Sequence, residues 1–164
     1  MEMDIGIVSD THLPRGQRRL PQACVERLAA ADLIVHAGDL VTLEVLEELR
    51  AIGTVVAVCG NVDDAQVRGE LPVTATVEAG DCMLAVIHDG GPSKGRLSRL
   101  RTHFPGADAV IFGHSHIPLH ARDEDGFQIF NPGSPTDRRR SPFHTMGIAR
   151  ARGAELTFEL IVLD

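Results

Sequence analysis

The first sixty residues leave few architectures open. Met3 to Ser9 alternates apolar and polar side chains as a strand does, and Leu20 to Ala31 has helical spacing with Pro21 tolerated in its first turn. Leu33 to His36 is a short apolar strand, Leu40 to Arg50 is helical again, and Thr54 to Cys59 is a β-branched strand. Strand, helix, strand, helix, strand in direct succession predicts parallel strands joined by right-handed crossovers. The second half reads differently. Val73 to Glu78 and Cys82 to Ile87 flank the turn Ala79-Gly80-Asp81, a hairpin signal, and Arg96 to His103 predicts a short helix. Strands follow at Ala109 to Phe112, Pro118 to Ala121, Phe127 to Phe130, His144 to Arg150 and Glu155 to Val162. No repeat, low-complexity linker or shift in composition divides the chain, so residues 1–164 are expected to form one domain. That length buries roughly two thirds of the surface an unfolded chain exposes.

Composition then removes whole classes of function. Cys24, Cys59 and Cys82 are an odd set with no CxxC spacing, which argues against a disulfide framework or zinc knuckle and fits a reducing cytoplasm. The N-terminus lacks a basic stretch followed by a long apolar run, and no apolar run approaches the ~18 residues of a membrane span, so neither export nor a membrane is expected. A formal charge of −7, with Arg138-Arg139-Arg140 as the one dense basic run, argues against extended nucleic-acid binding. Six Phe with no Trp or Tyr supply a poor stacking platform for single strands.

The polar residues gather at strand ends. Asp10 and His12 follow the first strand, Gly38-Asp39 the second, Gly60-Asn61 the third, His88 the second hairpin strand, and Gly113-His114-Ser115-His116 the strand after that. In open α/β sheets the carboxyl ends of the strands line the ligand crevice, so five loops are predicted to reach one rim. In an extended segment residues i and i+2 point the same way, which would present His114 and His116 together.

Asp10, His12, Asp39, Asn61, His88, His114 and His116 combine hard oxygen donors with imidazole nitrogen. That mixture suits manganese first, with nickel, iron, zinc or cobalt as alternatives, better than an all-oxygen magnesium or calcium cage. Seven ligands exceed one tetrahedral ion. They suit two divalent ions about 3.5–4 Å apart, sharing a carboxylate and a bridging hydroxide, as in phosphate-ester hydrolysis. Each pair has a plainer reading when taken singly: Asp39 as a helix cap, Asp10-Thr11-His12 and Gly60-Asn61 as turns, His88 as a satisfied histidine. Five of them after successive strands favour the metal site.

In order and spacing, Asp10-x-His12, Gly38-Asp39, Gly60-Asn61, His88 and Gly113-His114-Ser115-His116 resemble the calcineurin-like metallophosphoesterase superfamily. The short chain, the SDTH opening and the Asn131-to-Ser134 NPGS segment resemble its small YfcE-like phosphodiesterase branch. The resemblance implies a two-sheet αββα sandwich of the metallo-dependent phosphatase type. It implies that Asp10, His12 and His116 bind one ion, that Asn61, His88 and His114 bind the other, and that Asp39 bridges them. Asp10, Asp39, Asn61 and His88 would then carry the catalysis. The implied activity is hydrolysis of a small phosphate ester, most specifically a diester, with homo-oligomerisation left open.

One position departs from the pattern. Many members carry GNH[DE], where the histidine is thought to protonate the leaving group; here the segment reads Gly60-Asn61-Val62-Asp63, and valine has no proton to give. Asp63 and His36 are the first surrogates to consider, although His36 is expected to support the ligands from behind the strand end. Arg138 to Arg140 read as a solvated loop, and His103, His120 and His144 as structural or exposed. The rival function is a catalytically weak metal-binding scaffold that binds protein partners, like the retromer subunit that resembles this family.

Overall fold

The computed structural model describes residues 2–13 and 19–164. In chain order the elements are β1 (Glu2–Val8), α1 (Gln22–Ala30), β2 (Leu33–His36), α2 (Leu43–Ile52), β3 (Val55–Ala57), α3 (Ala65–Glu70), β4 (Thr74–Ala79) and β5 (Cys82–Ile87). Then come α4 (Arg96–His103), β6 (Ala109–Ile111), β7 (Leu119–Arg122), β8 (Gln128–Asn131), β9 (Thr145–Arg152) and β10 (Glu155–Val162). They build two five-stranded sheets, ordered β10-β9-β1-β2-β3 and β4-β5-β6-β8-β7. β1, β2 and β3 are parallel, as the alternation of strands and helices predicts, and so are β5, β6 and β8.

Side-chain alternation assigns each strand face to a layer. Ile5, Ile7, Leu33 and Val35 of the first sheet meet Leu84, Val86, Ala109, Ile111 and Phe130 of the second in one core between the sheets. The residues between them in sequence point outward: Val8 and Ile34 pack with Leu28, Leu46 and Leu49 of α1 and α2. On the far side Ala85, Val110 and Ile129 pack with Leu100 of α4 and with Phe112 and Phe127. The layers are therefore αββα. Burial on both faces explains why β2, β5 and β6 read as nearly unbroken apolar runs, and each buried Leu or Ile contributes about 1.5–3 kcal/mol. Gly6 sets the closeness of the α1 contact, since a Cβ there would lie 2.8 Å from Leu28 Cδ2.

Two local expectations are corrected. The second helix starts at Leu43 rather than Leu40, because residues 38–41 hold the loop that follows β1. Gly38, Asp39 and Val41 have φ of 101°, 64° and 94°, and the carbonyls of Asp39 and Leu40 accept hydrogen bonds from the His12 and Leu13 amides at 3.1 and 3.2 Å. Asp39 is thus no helix cap. The structure also adds a helix to the expected elements, α3, which Asp64 starts by accepting a hydrogen bond from the Val67 amide at 2.9 Å. Asp followed three residues later by the first buried apolar residue is a cap signal that was available.

Candidate metal centre

All seven residues singled out in the sequence converge at the carboxyl ends of β1, β2, β3, β5 and β6. Asp10, His12 and His116 place one ligand atom each within 4.8 Å of one another, and Asp39, His88 and His114 do the same. Asn61 joins the second group, its Oδ1 being 3.0 Å from His88 Nε2 and 3.1 Å from His114 Nδ1. Asp39 Oδ2 lies between the groups, 3.1 Å from His88 Nε2 and 3.5 Å from His12 Nε2. Asp10 Oδ1 is 3.4 Å from His116 Nε2 and 3.8 Å from both His12 Nε2 and His88 Nε2.

Whether these residues suit metal is decided by which atoms are left without partners. Asp10 Oδ1, His12 Nε2 and His116 Nε2 are buried with no hydrogen-bond partner among the described residues, and they belong to one triad. An unsatisfied buried polar group costs about 1–3 kcal/mol, so three aimed at one space call for a cation. The opposite atoms of the ligand side chains are tied down. Asp10 Oδ2 accepts from Ser9 Oγ at 2.7 Å and from the His114 amide at 2.9 Å, and Asp39 Oδ1 accepts from the Val62 amide at 2.9 Å. His88 Nδ1 donates to the Ala37 carbonyl at 2.8 Å, and His116 Nδ1 donates to the Asp137 carbonyl. These bonds fix the tautomer that leaves Nε2 free to ligate.

The backbone is shaped to the same end. Asp10, His12, Asp39, His114 and His116 have φ between 47° and 74°. Left-handed conformations in non-glycine residues are strained, and strain of this kind gathers where the surroundings over-determine a functional geometry. The neighbouring glycines are spatial necessities. A Cβ on Gly60 would stand 2.1 Å from Asp39 Oδ1, and one on Gly113 would stand 2.0 Å from Ser9 Oγ and 2.6 Å from Asp10 Oδ2.

Electrostatics in the metal-free protein follow from this crowding. Burial opposes charge on His12, but its contacts with Asp10 and Asp39 outweigh that and push its pKa up to about 9. His88 is also raised: burial lowers it, and Asp39 with Asp10 more than compensates. Asp39 is raised by burial yet held far below the usual carboxylate range by His12, His88 and the Val62 amide, and Asp10 is lowered in the same manner. His116 is lowered, chiefly by burial. A proton on His12 thus stands in for part of the positive charge that two buried carboxylates require.

Further residues hold the site without facing it. Asp63 is the clearest: its Oδ2 accepts from the Gly60 amide at 2.6 Å and the Asp39 amide at 3.1 Å, and its Oδ1 from the Val41 amide at 2.6 Å. Arg68 donates to the carbonyls of Asp63 at 2.9 Å and Asn61 at 2.5 Å. Ser134 Oγ donates to the Asp10 carbonyl at 2.8 Å, while Asn131 Nδ2 donates to the Gly113 carbonyl at 3.1 Å, so the NPGS segment clamps two ligand loops. His36 is buried, with Nδ1 accepting from the Gly38 amide at 3.1 Å and Nε2 lying 3.1 Å from Thr11 Oγ1; burial lowers its pKa to about 3. It supports the ligand loops and does not ligate. Neither surrogate acid is placed to donate, since Asp63 accepts from three amides and His36 is neutral and spent. Arg138 to Arg140 are exposed, and His103, His120 and His144 contact Phe104, Gln128 and Asp164, away from the centre.

A layered αββα sandwich carrying two adjoining Asp/His groups at its strand ends defines a metallophosphoesterase framework, and sequence comparison agrees. The family model for the calcineurin-like phosphoesterase superfamily domain matches residues 3–153, and the chain belongs to that superfamily. It is 34% identical over 161 residues to a probable metallophosphoesterase of Methanothermobacter thermautotrophicus, covering 97% of this chain and 92% of the other. Among solved structures, Vacuolar Protein Sorting 29 from Cryptosporidium parvum superposes with a TM-score of 0.86 at 20% identity, covering 99% and 92% of the two chains. A conserved uncharacterised protein and predicted phosphoesterase from Streptococcus pneumoniae gives 0.76 at 19% identity, covering 100% and 91%. At such identities these two structures speak to the fold.

Proposed function

We propose that this protein is a two-metal phosphodiesterase acting on small phosphate esters. The observation that carries the reading is the set of three buried ligand atoms on Asp10, His12 and His116, without hydrogen-bond partners among the described residues, beside a second group whose Asp39 also approaches His12. Asp10, His12 and His116 would hold one ion, Asn61, His88 and His114 the other, and Asp39 would contact both, with manganese the preferred metal. Two such ions supply Lewis acidity, generating a nucleophile from water at neutral pH and neutralising charge on the phosphoryl oxygens.

The chain's own groups account for the rest. Asn61 and His114 are exposed, so the second group opens to solvent, as access for a phosphate carrying two substituents requires. Hydrolysis forms a bond from a water oxygen to phosphorus as the bond to the leaving oxygen breaks, giving a monoester and an alcohol. Val62 is 41% exposed at the place where many relatives carry histidine and cannot protonate the departing oxygen. Good leaving groups are therefore favoured.

A second reading, a weakly catalytic metal-binding scaffold for protein partners, draws on the fold shared with Vacuolar Protein Sorting 29 and on the absence of a proton donor at Val62 of this chain. Hydrolysis of bis-p-nitrophenyl phosphate separates the two. The enzyme reading expects activity that chelation abolishes and that manganese or nickel restores better than magnesium. A fully metal-loaded, folded protein without turnover would establish the scaffold.

A further inference from the structure

A cavity of about 640 Å³ opens beside the second ligand group, where the chain crosses from β3 through α3 to β4. Asn61 and His88 of the second ligand group are part of its lining, so it adjoins the metal centre. The rest of its surface is mainly aliphatic: Cys59, Leu71, Pro72, Val73 and Ile87. A cavity of that size suits a small ligand. Among the described residues its lining has no Phe, Tyr or Trp on which a nucleobase could stack. Arg68 spends Nε and Nη2 on the carbonyls of Asp63 and Asn61, and the carboxylate of Asp89, exposed in the same lining, offsets its charge, so the cavity favours neither sign.

We infer that this cavity binds a neutral apolar substituent of the phosphodiester, an aryl or short alkyl group, while the phosphate sits at the metal centre. The inference rests on the phosphoesterase reading and adds the substrate class to it. Val73 has the most to contribute to an incoming group, because it lies in the wall yet is 65% exposed. Filling the cavity with a ring would remove much of that exposed surface from water.

The test uses the manganese-loaded protein with phenylphosphonate and methylphosphonate, which share a headgroup and differ in the substituent. Calorimetry should show phenylphosphonate binding about tenfold more tightly, a modest return for burying a ring in a partly open cavity. Val73→Asn, which adds polarity without charge, should shrink that preference to about twofold or less and leave methylphosphonate affinity within about twofold of wild type, since Val73 has no place in the ligand set. Cys59 gives an independent readout. Cys24 and Cys82 are buried and their thiols raised, the first to about 12, so Cys59 is the cysteine open to N-ethylmaleimide. Phenylphosphonate should slow its alkylation at least about fivefold, and methylphosphonate should not. Equal affinity for the two phosphonates, or equal alkylation rates, would overturn this inference alone. Failure of both phosphonates to bind would overturn the phosphoesterase reading and this inference with it.

Discussion

Replacing Asp63 by Asn tests whether the metal centre is organised by a residue that never faces it. The carboxylate accepts three backbone amides, those of Gly60 and Asp39 on one oxygen and that of Val41 on the other. An amide of the same shape has one acceptor oxygen. If that oxygen keeps Gly60 and Asp39, the amide nitrogen faces the Val41 N–H across the 2.6 Å now spanned by a hydrogen bond, donor against donor. A hydrogen bond to a charged group contributes about 1.5–3 kcal/mol, so losing one and weakening two should cost about 3 kcal/mol. For a chain of this size that lowers Tm by about 6–12 °C. The melt should be run on metal-free protein, where bound ions add nothing to stability. Because Gly60 abuts Asp39 Oδ1, loosening these amides also displaces Asp39, and manganese affinity should fall at least about tenfold, the usual penalty for losing a group that orients a ligand. A Tm within about 2 °C of wild type together with unchanged manganese affinity would refute the reasoning.

Other outcomes follow from the same geometry. Asp39→Asn should reduce turnover by at least about 10²-fold and by more than His12→Ala does, because Asp39 Oδ2 reaches both groups; steady-state rates near wild type for both variants would remove the bridging role. Manganese binding at pH 7.5 should release at least one proton, since His12, with a pKa near 9 in the metal-free protein, must lose its proton to ligate; calorimetry in buffers of differing ionisation enthalpy measures this, and zero release would contradict it. The sign for stability is fixed too. A folded pKa raised above the unfolded 6.5 stabilises the metal-free protein fully below about 6.5, and that stability is lost as pH rises through about 9, so its Tm should fall across that window and the loaded protein's should fall less. Val62→His should raise kcat/KM on alkyl-leaving substrates by about tenfold and much less on p-nitrophenyl esters; equal gains on both would show that a proton donor is not what this position lacks.

Much of this was legible in the sequence because the relevant signals are local. Apolar runs of strand length, each ending in a short polar pair, located β1, β2, β5 and the rim, and β2, β5, α4 and β10 fall on the predicted bounds. What escaped was non-local. The role of Asp63 depends on amides at positions 39, 41 and 60 meeting in space, and nothing in Asn61-Val62-Asp63 announces that. Leu40 to Thr42 look helical by composition, yet the loop after β1 claims their backbone and delays α2 to Leu43. The order of the second sheet beyond its hairpins was likewise invisible, because β5 with β6 and β6 with β8 pair through contacts that no short window contains.

The proposed function requires two ions between Asp10, Asp39 and their imidazoles, and metal stoichiometry tests that requirement most directly. Protein loaded with manganese, freed of unbound ion and checked for native circular dichroism, should contain close to two manganese per chain by elemental analysis. Asp39→Asn should reduce that content. A folded wild-type protein that retains no manganese would contradict the account.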